Sequence, residues 1–293
     1  MEITIAGWAI PFILTGGALL FFCIRRPLIE LNAFSRTKFS SLDSVIATFG
    51  GIALFIGIWS FASWLRPTGI TRIPSPWTTF NEAHMLIVNG TLYEEAKQSF
   101  IRVLAGFSIA SVIGVSGGLL AGSFVLANRL TLPVNTFFRY IPPTAFVSAM
   151  IVYFGIGESY KYAVVFIGVI FFIFQMTIDV VEDLDIKFLE MGLTTGLSRV
   201  GVFRRVILPA SWPRIVDVLR INLSAAWTFL VAAEIIGADT GLGHLIAISQ
   251  RFSRIEQLYV AILIFGVIGL LTDWVIQFIS NKLFRWHAIQ VSK

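Results

Sequence analysis

Residues 190–209 read EMGLTTGLSRVGVFRRVILP and separate two long apolar runs, residues 162–181 and 214–236. With one glutamate and three arginines, this segment is too charged to cross a lipid bilayer. Its apolar residues recur at mostly three- or six-residue steps among the basic ones, which predicts one or two short helices along a membrane surface. Such a segment, anchored by a span at each end, can transmit force; the alternative is an interfacial loop whose basic residues only set topology.

The composition indicates an integral membrane protein. Hydrophobic residues make up 56% of the 293 residues, charged residues make up 13%, and the mean hydropathy is +0.83. This leaves too little polar surface for a soluble globule. A helical span needs about 20 mainly apolar residues, and continuous runs of that length favour helices over barrel strands. The predicted spans are residues 5–24, 44–65, 99–126, 137–156, 162–181, 214–236 and 258–280.

The basic residues predict the orientation of these spans. With the C-terminus in the cytoplasm, fourteen Lys and Arg residues fall inside and six outside, with Arg102 and Arg220 omitted because each lies within a predicted span. This places residues 182–213 in the cytoplasm. The net charge of +5 then reflects cytoplasmic loops, and nucleic acid is not an expected partner.

Several kinds of site are not indicated by the sequence. Cys23 is the only cysteine, so no intrachain disulfide can form. The three histidines, His84, His244 and His287, are far apart in the predicted topology, and no metal site is expected. The phosphate-binding motif G-x-x-x-x-G-K-[ST] is absent, so the chain cannot itself be an ATP-binding subunit. No paired nucleophile and base suggest an intramembrane enzyme.

Glycines four residues apart mark the third predicted span. Gly114, Gly118 and Gly122 form a flat groove that another helix can approach closely. We expect this groove to serve close helix packing. The function it could serve is sliding or rocking of one helix on another.

Polar or polarisable side chains in the aliphatic spans are candidates for a translocation path, or for hydrogen bonds between helices. The candidates are Met150, Tyr153, Gln175, Trp227, Thr228 and Glu234. Glu234 could line the path, or lie at the outer rim, held by backbone N–H groups of residues 237–243. Asp179 and Asp273 are expected to be structural, with proton coupling as the alternative.

The spacing within residues 190–209 resembles the cytoplasmic coupling loop of binding-protein-dependent ABC importer permeases. That loop reads roughly EAA, three residues, G, nine residues, then I-x-LP. The matching positions here are Glu190, Gly196, Leu208 and Pro209, with Val206 in place of Ile and Met191 and Gly192 in place of the two alanines.

The resemblance extends over residues 91–281 and is strongest to the nitrate, sulfonate, taurine and bicarbonate branch. It is carried by IPP-x-A from Ile141, FGxG from Phe154, AEIIGA from Ala233 and TGLG from Thr240. The implied fold is an all-α polytopic membrane protein with a six-helix type I permease core and one extra N-terminal transmembrane helix. The expected parts are that extra helix and a cytoplasmic loop (1–43), the first core helix and an external loop (44–90), the permease domain (91–281) and a cytoplasmic tail (282–293).

The resemblance also implies a function. The chain would be a non-catalytic, multi-pass permease subunit in the lipid of the bacterial inner membrane, with its C-terminus cytoplasmic and a homodimer as its assembly. Partner ATPases would use ATP and Mg and would grip residues 183–208. An extracytoplasmic solute-binding protein would deliver a small oxyanion or organosulfonate to the outer loops of this chain, which would bind no cofactor. The implied coupling residues are Glu190, Gly196, Leu197, Arg199, Leu208 and Pro209. The alternative is an ion-coupled secondary transporter that uses Glu234, Asp273 or Asp179.

Overall fold

The computed structural model describes Gly17, residues 41–65 and residues 72–284. The predicted first span, residues 5–24 with Cys23, and residues 285–293 of the predicted tail lie outside the described residues. The helices are α1 (Ser41–Leu65), α2 (Pro76–Val88), α3 (Thr91–Ser123), α4 (Val125–Arg139), α5 (Ala145–Phe154), α6 (Ser159–Glu182), α7 (Ile186–Thr194), α8 (Arg199–Val202), a π-helical turn (Phe203–Ile207), α9 (Leu208–Gly237), α10 (Leu242–Arg251) and α11 (Ile255–Leu283).

Five stretches of the described chain are long and apolar enough to cross a membrane. They are Val45–Leu65, Thr91–Ser123, Ser159–Glu182, Arg199–Gly237 and Ile255–Leu283. Each overlaps one of the predicted spans, and the described ranges contain no β-strand. The fourth stretch begins 15 residues before the predicted span over 214–236, because helical structure continues back through the π turn to Arg199. The expectation of an all-α polytopic membrane protein is confirmed.

The predicted span over residues 137–156 differs from the structure. The chain leaves helical structure between Arg139 and Ala145 and then forms only the ten-residue α5. Pro142 and Pro143 supply no N–H groups, and the residue before a proline is biased away from helical geometry. At 1.5 Å per residue α5 is about 15 Å long, roughly half the hydrocarbon thickness.

The described chain forms two compact units, one containing residues up to Val88 with Ser249–Val260, and the other containing Asn89–Ile248 with residues from Ala261 onward. In the first unit the Trp59 indole donates to the Pro74 carbonyl at 2.9 Å and stacks on the Tyr259 ring. Arg72 forms an ion pair with Glu256.

The core of the second unit is formed by α3, α6 and α9. Its buried side chains include Val103, Phe107, Ile173, Trp227 and Leu230. Gly168 of α6 faces the Phe229 ring of α9, where an added Cβ would lie 2.9 Å from the ring Cγ. Helix α6 therefore packs on both α3 and α9, and these three helices carry the two sites described below.

Candidate functional site

Helices α7 and α8 form a compact segment between α6 and α9. Asp185 caps α7 by accepting from the Lys187 N–H at 3.0 Å, and Ser198 caps α8 by accepting from the Gly201 N–H at 3.2 Å. Both are short polar side chains that satisfy N–H groups left free at a helix start. Because these caps define two helix starts, the segment is a helix–turn–helix unit and not an irregular loop.

The turn between the two helices depends on Gly196. Its φ is +79°, a left-handed conformation that glycine adopts without a Cβ clash. The Gly196 N–H donates to the Leu193 carbonyl, and the Leu197 N–H donates to the Gly192 carbonyl. The chain thus reverses through a hydrogen-bonded turn that holds the angle between α7 and α8.

Gly192, at one of the family's alanine positions, faces the π turn. A Cβ added there would lie 3.2 Å from Cγ2 of Val202 and 3.2 Å from Cγ2 of Val206. This is closer than ordinary van der Waals contact, so the missing side chain lets α7 lie tightly against the following helix. Departure from the family pattern is accommodated by close packing of α7 against the π turn.

The outer surface of the segment is both apolar and basic. Glu190, Arg199, Arg204 and Arg205 are exposed. Large apolar side chains lie exposed among them, namely Phe188, Met191, Leu193 and Val200. Apolar residues rimmed by charges are typical of a surface that meets a protein partner.

The π turn joins α8 to α9 without a break in helical structure. The Leu208 N–H donates to the Phe203 carbonyl, five residues back. Pro209, at the second position of α9, has no N–H to donate to Arg205, which suits the start of a helix. Residues Arg199–Gly237 are therefore one continuous helical rod. The exposed Pro209 and partly buried Leu208 line an apolar surface groove with Trp212 and Phe284.

A buried charge cluster lies where α6 begins and α9 ends, at the opposite end of both helices from α7 and α8. Arg102 of α3 is 1% exposed and uses all five guanidinium N–H groups. Nε and Nη2 donate to the two Glu158 oxygens at 2.6 and 2.7 Å. Nη1 donates to Glu234 at 2.7 Å and to the Thr240 carbonyl at 2.5 Å, and Nη2 donates to the Thr240 hydroxyl at 2.8 Å.

Glu234 is fully enclosed at 0% exposure. Its carboxylate accepts from the Ser99 hydroxyl at 2.8 and 2.9 Å and from the Gly243 N–H at 2.8 Å, as well as from Arg102. Ser99 also accepts from the Leu242 N–H. Hydrogen bonds of this kind offset the large penalty of burying a carboxylate. Glu234 is therefore neither solvated at a rim nor open to a path in this structure, although a backbone N–H of the glycine-rich turn holds it as the sequence suggested.

Gly241 and Gly243 allow this enclosure. Gly241 has φ +115°, and a Cβ there would overlap the Glu234 carboxylate and lie 2.6 Å from Arg102 Nη1. A Cβ on Gly243 would lie 2.6 Å from the Glu234 Cβ. The Gly241 N–H donates to Glu95. A Cβ at either position would collide with the charged side chains, so only glycine lets the backbone come this close to them.

Glu158, which immediately precedes α6, completes the cluster. Its carboxylate contacts Arg102 and also accepts from Lys161 Nζ at 2.8 Å. The hydrogen bonds from Arg102 chiefly, and those from Lys161, lower the pKa of Glu158 from 4.5 to about 2. Two cations thus face two carboxylates, and the half-exposed Glu158 is the member that meets solvent.

The remaining predicted path residues are not brought together. Trp227 is buried between the Phe100 and Phe265 rings, whereas Thr228 is exposed on the same helix. Gln175 is half-buried, donates to Asp179 at 2.9 Å and accepts from Asn135 at 3.2 Å. Tyr153 is exposed, and Met150 packs against a small cluster around Val147 and Tyr160.

Gly114, Gly118 and Gly122 lie where α3 contacts α6. An added Cβ would lie 2.9 Å from Ile173 Cγ2 at Gly114, 2.6 Å from the Phe174 carbonyl oxygen at Gly118 and 2.8 Å from Val181 Cβ at Gly122. The two helices therefore touch along this stripe at backbone distance.

The sequence reasoning did not select Arg102 and Arg220. Both were set aside as basic residues inside spans, yet a cation within a span is expected to have a partner. Arg220 forms a two-contact ion pair with Asp273. The sequence did contain a signal: each arginine within a predicted span has a carboxylate in another span as a possible partner, Glu234 for Arg102 and Asp273 for Arg220. Among the described residues, no group of three or more His, Cys, Asp or Glu side chains could hold a metal ion.

Comparisons with known proteins agree with this architecture. An ABC transporter permease protein from Brucella abortus is 33% identical over 235 residues, 80% of this chain and 93% of its own length. The aliphatic sulfonates transport permease protein SsuC of Bacillus subtilis is 30% identical over 80% of this chain and 85% of its own. The bicarbonate transport system permease protein CmpB of Synechococcus elongatus is 28% identical over 83% and 91%.

The solved structure of the MetNI methionine ABC transporter in an inward-facing conformation shares the fold. Its matched chain has a TM-score of 0.52 and 22% identity, with 69% of this chain and 96% of that chain covered. A family model described as the binding-protein-dependent transport system inner membrane component matches residues 110–285. Because that match spans more than half of the sequence, this multi-pass chain belongs to the family of inner-membrane components of binding-protein-dependent transport systems, the permease subunits of ABC importers.

Proposed function

We propose that two copies of this chain enclose a solute path driven by two cytoplasmic ATPase subunits that bind residues 183–208. The fourteen-to-six bias of basic residues supports a cytoplasmic location for this segment and for the C-terminus. An extracytoplasmic solute-binding protein delivers the solute at the opposite membrane face. The chain binds no cofactor itself; its partner ATPases use ATP and Mg.

The solute is a small oxyanion or organosulfonate. Support comes from the relatives, whose names specify aliphatic sulfonates and bicarbonate. Nitrate, taurine and alkylsulfonates belong to the same chemical class: each presents anionic oxygens on a small body.

The continuity of the rod from Arg199 to Gly237 carries this proposal. A push on α8 reaches α9 through unbroken helical backbone, because the Leu208 N–H donates across the π turn to the Phe203 carbonyl, although Pro209 and Pro213 have no N–H to donate. The far end of that rod holds Glu234, so motion at the cytoplasmic end bears on the charge cluster about 50 Å away along the helix. ATP drives transport only if it stabilises one arrangement more than the other.

The predicted coupling residues have separate parts in this mechanism. They are Glu190, Gly196, Leu197, Arg199, Leu208 and Pro209. The exposed Glu190 and Arg199 contact the ATPase, Gly196 sets the turn, and Leu197 anchors it in the core. Leu208 and Pro209 connect the segment to α9. Of the predicted path residues, the exposed Thr228 on α9 is the one retained as a lining residue, and the glycine stripe serves helix packing.

The ion-coupled alternative requires a carboxylate that can bind and release the transported proton. Glu234 is bonded to Arg102, Asp273 to Arg220, and Asp179 to Gln175. Because a proton on Glu234 or Asp273 would have to break an ion pair, the geometry does not favour either carboxylate as the coupling group.

The test compares two left-handed glycines with no atom within 4 Å of an added Cβ. Gly196 has φ +79°, and Gly90, which precedes α3, has φ +73°. Valine strains either backbone by roughly 1–3 kcal/mol, but only Gly196 lies in the coupling segment. We expect Gly196→Val to lose at least tenfold in ATP-driven uptake and to release the copurifying ATPase, whereas Gly90→Val keeps both. Equal losses in the two variants would refute the coupling role.

A further inference from the structure

The Arg220–Asp273 ion pair lies within the predicted membrane-spanning parts of α9 and α11. Measured from the bounds of the predicted spans, residues 214–236 and 258–280, Arg220 is about 9 Å from the start of one and Asp273 about 10 Å from the end of the other. Both are therefore inside the roughly 30 Å hydrocarbon layer. Nη2 of Arg220 donates to Asp273 Oδ2 at 2.7 Å, and Nε donates to Oδ1.

This pair is much more open than the buried charge cluster. The Arg220 and Asp273 side chains are 32% and 38% exposed, compared with 1% for Arg102. Charged groups at this depth do not face hydrocarbon, because loss of hydration is too costly. Their open side must therefore meet water or another polar surface.

Polar residues recur on the exposed side of α9 over about three turns. Asp217, Ser224 and Thr228 are exposed there, at helical positions within 60° of Arg220 or of one another, and the exposed Ile221 lies among them. On α11, Gly266 and Gly269 lie on the Asp273 side, and neither has an atom within 4 Å of an added Cβ. Exposed residues within α3 are mostly apolar, such as Ile109 and Ile113, although Ser108 and Ser116 are also exposed. The polar residues on the exposed side of α9 thus distinguish it from a lipid-facing surface.

We propose that this face lines the solute path and that Arg220 is a contact for the anionic solute, with Asp273 as its counter-ion when no solute is bound. The inference rests on the proposed function. The planar guanidinium offers two parallel N–H groups, which Asp273 now occupies with two oxygens. A sulfonate or bicarbonate group presents two oxygens with the same spacing. Competition from Asp273 keeps the contact weak, so the solute can leave as well as enter.

Thiol labelling in membrane vesicles tests this inference without measuring transport. In a Cys23→Ser background, Ser224→Cys and Thr228→Cys are treated with the anionic sulfonatoethyl and the cationic trimethylammonioethyl methanethiosulfonates. Ile109→Cys is the control, because Ile109 is exposed and its neighbours one turn away, Ala105 and Ile113, are apolar. We expect both α9 cysteines to react and the control to remain unlabelled. Failure of both α9 cysteines to react would overturn the water-lined face.

The charge of Arg220 is tested by the ratio of anionic to cationic labelling rates at Thr228→Cys. We expect Asp273→Asn to raise this ratio by roughly tenfold and Arg220→Gln to lower it by a similar factor, as for one unit charge in a partly hydrated site. The double variant Arg220→Gln with Asp273→Asn leaves no unpaired charge and controls for folding. A ratio that neither single variant changes would refute the anion contact. ATPase copurification is read separately, so failure of the proposed function would be recognised independently.

Discussion

Arg102 and Glu158 are joined by two parallel hydrogen bonds of 2.6 and 2.7 Å, although they lie 56 residues apart in sequence. Arg102 is buried within α3, and Glu158 immediately precedes α6. The same guanidinium reaches Glu234 near the end of α9. One arginine therefore ties together the three core helices at the end remote from the coupling segment.

Loss of Arg102 should destabilise the protein severely. Arg102→Met leaves the fully enclosed Glu234 without a cation, and breaking a buried pair in this way typically costs about 3–5 kcal/mol. We expect a corresponding fall in thermal stability in detergent. The control is Arg214→Met, because Arg214 and its partner Asp183 are exposed and 3.4 Å apart, which predicts a loss of at most about 1 kcal/mol. Similar losses in both variants would contradict the assignment.

Gly241 should tolerate no side chain. Gly241→Ala places a Cβ against Glu234 and Arg102 in a backbone of φ +115°, so both strain and displacement of the charges oppose folding. We expect a destabilisation of about 2–4 kcal/mol, measured by thermal unfolding in detergent. Gly157→Ala is the control, since no atom lies within 4 Å of its added Cβ. A tolerated Gly241→Ala would show that the 238–243 turn can move away from the cluster.

The contact between α3 and α6 can be tested with two adjacent glycines. At Gly118 an added Cβ would lie 2.6 Å from the Phe174 carbonyl oxygen, which is backbone and cannot move alone. At Gly117 an added Cβ would lie 2.8 Å from the outer edge of the Phe174 ring, and that ring can rotate away. We expect Gly118→Ala to lower detergent thermal stability by about 1–3 kcal/mol and Gly117→Ala to change it little. The reverse order would disprove backbone contact along this stripe.

Much of this architecture could be predicted from the sequence because it depends on local signals. Continuous apolar runs predicted the spans, and the charged residues 190–209 with their apolar spacing predicted the surface segment. Pro142 and Pro143 lie inside the single span that was predicted over residues 137–156. Two consecutive residues without N–H groups ended helical structure where a single span was expected.

The charge cluster was harder to predict because its partners are distant in sequence. Arg102 pairs with residues 56 and 132 positions away, and no periodicity connects them. Glu234 was recognised as unusual, but a path-lining carboxylate and an enclosed one have the same sequence context. Only packing of α3 against α6 and α9 decides between the two.

Acid should weaken the contribution of Glu158 to stability. Its pKa is lowered from 4.5 in its ordinary state to about 2 in the folded protein, chiefly by hydrogen bonds from Arg102. Since the folded pKa is depressed, the stabilisation is complete well above pH 4.5 and is lost as pH falls through that value toward 2. We expect the stability difference between the native chain and Glu158→Gln, measured by detergent unfolding from pH 7 to pH 3, to be constant above about pH 5.5 and to shrink steadily below it. A difference independent of pH across this range would show that the Glu158 carboxylate is not held in its charged form by Arg102.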